Sequence, residues 1–164
     1  MDALFFLLPA IYLYLRRKNL KEHMGLKFIG AKKLILLSIE LILLLLIVSV
    51  VISLLANAFS VNDLQNVEGT ISRLPVYVMV YLLIIRVLAE ELFFRGFLVN
   101  LIGVVPSSII FAAFHFSWNS VIEVIGAFVA GLILAYYFKK NQTIYPNIIA
   151  HVCYNLLVIF WMIR

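Results

Sequence analysis

An all-α membrane bundle, a polytopic arrangement of about six transmembrane helices with some short or kinked, is the fold class that three observations predict. Hydrophobic residues make up 65% of the 164 positions and charged residues only 13%, with a mean hydropathy of +1.12. A small soluble globule leaves too much of its area exposed to hide that apolar surface. The apolar residues fall into six runs, several near the roughly 20 residues needed to cross about 30 Å of hydrocarbon. Seven of the thirteen basic residues lie between Arg16 and Lys33, in one connection between two such runs. A soluble enzyme, a nucleic-acid-binding module and a disordered tail are excluded. The net charge of +5 at pH 7 marks loops and not a nucleic-acid partner.

The runs fall at roughly 3–15, 34–59, 74–95, 105–118, 120–138 and 144–163. The first is short and contains Pro9, and the fourth is also short, so tilt, a kink or partial re-entry is expected at both. Asp2 precedes the first run and Arg16, Arg17 and Lys18 follow it, the reverse of the charge order of a cleavable signal, so this run is expected to stay in the mature protein. The segment 16–33 holds seven basic residues and one acid, Glu22, whereas 60–73 holds Arg73 with Asp63 and Glu68. The first loop is therefore assigned to the cytoplasm and the second to the opposite side. Alternation puts the 96–104 turn inside, the Ser117–Ser120 turn outside, Lys139 and Lys140 inside, and both termini outside a multi-pass protein of the cell membrane. No internal repeat of the transporter kind is visible, and the whole of 1–164 reads as one membrane-embedded domain. The single cysteine, Cys153, allows neither an internal disulfide nor a Cys-based zinc cage.

Ionisable groups within lipid-embedded helices are costly, by about 2.5–3.5 kcal/mol each on insertion scales, so those present are informative. They are Glu40, Arg86, Glu90, Glu91, Arg95, His115, Glu123 and His151, with neutral Asn155 beside them. Taking Gly96, Pro106 and Pro146 as the cytoplasmic ends of their helices puts Glu90, His115, His151 and Asn155 in one layer about 8–14 Å below that face. Residues four apart share a helix face, so His151 and Asn155 point together, Glu91 can pair with Arg95, and Arg86 can reach Glu90. Cys153 points away from His151. Plainer roles compete at each position: an ion pair for Glu91 and Arg95, an interhelical hydrogen bond for His115, packing for Phe111 and Cys153, and a reach toward the interface for Glu40 and Glu123. The Phe and Tyr stripe reads as membrane-facing bulk and interfacial belt.

The layer has the parts for hydrolysis of an acyl bond without a covalent intermediate. Glu90 can act as general base, His115 can share the proton and hold a water, and His151 with the Asn155 amide can donate to the oxyanion. The sequence lacks the motifs of intramembrane serine, zinc and aspartyl hydrolases. A zinc ion held by Glu90, His115 and His151 remains a chemical alternative, as does a non-catalytic membrane immunity or binding protein that uses the polar layer to hold its helices.

Glu90-Glu91-Leu92-Phe93-Phe94-Arg95-Gly96, Phe111-Ala112-Ala113-Phe114-His115 and His151-Val152-Cys153-Tyr154-Asn155 resemble, in order, the three motifs of the CAAX prenyl endopeptidase and bacteriocin-processing family, also called the abortive-infection (Abi) family of membrane glutamate proteases. The resemblance covers about residues 75–160, which makes that stretch the catalytic core. It implies an all-helical core with a cytosol-facing cavity; separately, no cofactor or metal is expected. Glu90 and His115 would activate water, His151 and Asn155 would stabilise the oxyanion, and Glu91 and Arg95 would support the site. The implied partners are the bilayer and a peptide or protein substrate, prenylated in eukaryotic members; no prenyl pocket is readable in this chain.

Overall fold

The computed structural model describes residues 2–163, and every regular element among them is helical. α1 spans Asp2–Leu15, α2 is the single turn Leu20–His23, and α3 runs over Ala31–Ala58. A short helix α4, Leu64–Ile71, is followed after a sharp bend of 117° by α5, Val76–Ile102. α6 covers Val104–Trp118, its last turn wound as 3-10 helix from Phe114. α7 is Val121–Asn141 and α8 is Tyr145–Ile163.

All six apolar runs are helices, and they differ in length. α3, α7 and α8 are long and apolar enough to cross a membrane, and the bent α4–α5 pair makes a fourth candidate. α1, with 14 residues, rises only about 21 Å, and α6 is similarly short. Large apolar side chains such as Leu43, Ile47, Leu54 and Trp161 remain exposed along the long helices, as a lipid-facing wall requires. The chain is a multi-pass membrane protein.

Helix α5 departs from the sequence reading. Gly96 was expected to end it, yet the helix continues to Ile102 and stops at Gly103, whose φ of +92° is a conformation that disfavours a side chain. Gly96 has another purpose. A Cβ there would lie 3.3 Å from the Cβ of Met24, so its bareness lets the chain after α2 lie against α5. Asn100 Nδ2 donates to the His23 carbonyl at 2.7 Å, the Ile144 amide to Gly25 at 3.0 Å, and Thr143 Oγ1 to Lys27 at 2.8 Å. These bonds gather the 16–33 loop, the α5–α6 turn and the α7–α8 turn at one end of the bundle, which carries nine of the thirteen basic residues.

The opposite end is closed by α4. Asp63 accepts from the Ser120 hydroxyl at 2.7 Å and from the Val121 and Ile122 amides, so it caps the start of α7 from another part of the chain. Asn66 Nδ2 donates to the Asn119 carbonyl at 2.7 Å. Burial works against ionisation of Asp63, but the three hydrogen bonds outweigh it and hold the carboxyl below its ordinary value of 3.8.

The core corrects the reading of the aromatic residues as membrane-facing. Phe5, Phe93, Phe94, Phe97 and Phe111 are buried together, with Phe114 packed against them. Phe5 of α1 stacks on Phe93 at 4.6 Å and meets Phe94 and Phe114 edge-on at 5.4 and 5.3 Å. Five of these rings come from α5 and α6, the helices that carry Glu90, Glu91, Arg95 and His115, and their packing fixes the faces those helices present.

Candidate active site

Within α5 the backbone widens into π-type turns at Leu82–Arg86 and again at Glu91–Leu98. Such turns are frequent at functional sites, since they change which side chains share a face. Glu90 and Glu91 flank the second boundary, and both are buried, at 5% and 0% exposure. They meet different partners.

Glu91 looks toward α8. His151 Nδ1 lies 2.8 Å from Glu91 Oε1, and Arg95 Nη1 lies 2.9 Å from the same oxygen. The Arg95 contact is ionic and poorly aligned, for neither of its Nη atoms makes a directed hydrogen bond among the described residues. Its guanidinium sits over the Phe111 ring instead, 4.2 Å from the centroid. The pairing of Glu91 with Arg95 expected from their spacing is present, with His151 added as a third member. Phe111 does pack, as expected, and it also supplies the ring face under Arg95.

Glu90 looks into a cleft of about 1100 Å³, open solvent at its mouth included. Arg86 Nε lies 2.9 Å from Glu90 Oε1, as the four-residue spacing allowed. His115, His151 and Asn155 line the same cleft, so all four residues of the expected layer, from three helices, face one space. The contacts of both imidazoles favour one tautomer. His115 Nδ1 lies 2.9 Å from the Phe111 carbonyl, which can only accept, so Nδ1 carries a proton and Nε2 is the nitrogen left for the cleft. His151 donates from Nδ1 to the Glu91 carboxylate, which again leaves Nε2 as the variable position. Among the described residues, no three His, Cys, Asp or Glu side chains come close enough together to hold a metal ion.

The depth of this layer needs correction. Measured from the true helix ends at Ile102, Val104 and Tyr145, Glu90, His115 and Asn155 lie about 15–18 Å from the basic end and His151 about 9 Å. The cleft then runs away from that end, past Met79, Trp118 and Met162 to Val67, Ile71 and Leu74 at the α4 end.

One residue was undervalued. Glu123, expected to reach for the interface, lines the cleft within electrostatic reach of His115, His151 and Glu90. The α4 segment packs across the turn before it, where Asn66 donates to the Asn119 carbonyl and Asp63 accepts from the Ser120 hydroxyl. Glu40 lies elsewhere, accepting from Tyr137 at 2.6 Å on an exposed flank.

The family model described as type II CAAX prenyl endopeptidase Rce1-like matches residues 72–157, just over half of the chain. The chain belongs to this family. The match begins just after α4 and runs through α5, α6 and α7 into α8, so it contains every residue of the cleft layer and leaves α1 to α4 outside. No curated protein and no solved structure matches the chain. Membership in a protease family makes a hydrolase the general class of the chain.

Proposed function

We propose that the chain is an intramembrane endopeptidase that hydrolyses a peptide bond with water activated by Glu90. The observation that carries this reading is the convergence of Glu90, His115, His151 and Asn155 on one cleft from three helices. In the proposed step, a water held between Glu90 and His115 Nε2 gives a proton to Glu90 as its oxygen attacks the peptide carbonyl. The carbonyl oxygen gains the negative charge and accepts from Asn155 Nδ2 and from a protonated His151 Nε2. The imidazolium is sustained by Glu91 at Nδ1, which gives that carboxylate a part beyond its pairing with Arg95. As the carbon–nitrogen bond breaks, the proton on Glu90 passes to the leaving amine.

The substrate proposed is a lipidated or membrane-associated peptide, since the cleft walls are mostly apolar around a few convergent polar groups. The test is a comparison of membrane proteomes from cells carrying the wild type and Glu90→Gln. An uncut precursor accumulating in the variant, with its new carboxyl terminus missing, supports the reading and names the substrate. Identical peptide termini in both membranes would count against it.

A further inference from the structure

α1 lies outside the family-matched segment, yet its first turn reaches the residue that holds Glu90. Arg86 has partners on two sides. Its Nε faces Glu90 Oε1 at 2.9 Å, and its Nη1 faces Asp2 Oδ1 at 3.5 Å. The other Asp2 oxygen, Oδ2, accepts from the Tyr81 hydroxyl at 2.7 Å. Tyr81, Asp2, Arg86 and Glu90 thus form a continuous polar chain that leaves α5, passes through α1 and returns to α5 one turn before the catalytic layer. The arrangement is anchored, because Phe5, three residues after Asp2, is buried against Phe93, Phe94 and Phe114.

We propose that Asp2 is a positioning residue for Glu90, acting through Arg86, so that the amino-terminal helix completes the active site. This inference rests on the general-base reading of Glu90. A guanidinium donates in a fixed planar fork, so holding Nη1 from one side determines where Nε points. With Asp2 in place, Nε is aimed at Glu90 Oε1, and the carboxylate's second oxygen is free to meet a water in the cleft. Without Asp2, Arg86 regains its rotamers, and Glu90 loses the fixed partner that sets its plane. The other charged or titratable groups facing Glu90 are Arg95 from its own helix, Glu123 from α7, and His115 and His151 across the cleft. None of them touches Asp2.

The test uses the full chain in proteoliposomes with a fluorogenic peptide bearing a farnesylated CAAX tail, and compares Asp2→Asn, Asp2→Glu, Arg86→Gln and the Asp2→Asn/Arg86→Gln pair. Asp2→Asn is expected to lower kcat about tenfold with KM within about twofold, and to add nothing in the Arg86→Gln background, as for residues that act as a unit. Asp2→Glu is expected to recover most of the loss. The infrared carboxylate band of Glu90, assigned by its disappearance in Glu90→Gln, is expected to move in Asp2→Asn and return in Asp2→Glu, whether or not this peptide is cleaved. An unmoved band in Asp2→Asn overturns the inference, even if thermal stability falls, because Asp2 would then be only a structural tether. Multiplying kcat losses in the paired variant overturn it too. Turnover that survives Glu90→Gln removes the general-base reading instead, and the band still decides whether Asp2 positions Glu90.

Discussion

Two adjacent glutamates divide the labour of the site because α5 turns one toward α8 and the other into the cleft. Glu91 has no exposure and shares one oxygen between Arg95 and His151, while its other oxygen has no hydrogen-bond partner among the described residues. An ion pair at that depth adds little net stability, but removing one member leaves a buried charge uncompensated. Glu91→Gln is expected to cost about 3–5 kcal/mol of stability, whereas replacing Glu91 with Leu and Arg95 with Met together recovers much of it. Reversible unfolding in mixed micelles measures both; a Glu91→Gln protein as stable as the wild type would refute the argument. At this scale the sequence was informative wherever a polar group interrupted an apolar run, since lipid makes such groups costly. It was uninformative where a group's depth depended on the length of a neighbouring helix. Glu123 read as interfacial because nothing local reveals that α4 packs across the turn before it, and Asp2 read only as a charge flanking the first run.

Helix ends are where the elements differ most from their sequence expectations. Gly96 looked like a terminator, but a glycine inside a helix can equally mark a close approach, and only the neighbouring Met24 distinguishes the two. Gly96→Leu is expected to push the segment after α2 off α5 and to cost about 1–3 kcal/mol by overpacking. An unchanged melting temperature would show that the contact is not tight. Asp63 illustrates the reverse case, a cap supplied from a distant part of the chain. Its carboxyl is held below 3.8 in the folded protein, so its contribution is full above that value and is lost as the pH falls through the lower folded one. The melting-temperature advantage of the wild type over Asp63→Asn is therefore expected to be constant from neutral pH down to about 5 and to vanish in stronger acid. A gap that persists unchanged below that window would contradict the capping assignment.

For the whole molecule, composition and the six apolar runs were enough to give the all-helical membrane class, and three short motifs were enough to give the family. Span count was less legible, because hydropathy does not distinguish a crossing helix from a short one buried among its neighbours. Depth was hard to read too, because Gly96, taken as the end of its helix, lies six residues before the end at Ile102. The cleft extends toward α4, opposite the end that carries Lys139 and Lys140. In a Cys153→Ser background, Gln65→Cys and Lys140→Cys are expected to react with a membrane-impermeant maleimide from opposite sides. Labelling of both from one side would overturn the two-ended arrangement. The most direct measurement of the central claim is turnover of the farnesylated peptide by reconstituted wild type and by Glu90→Gln, with matched melting temperatures. A general base predicts a loss of about 10²–10⁴-fold in the variant. Equal turnover would remove Glu90 from the chemistry.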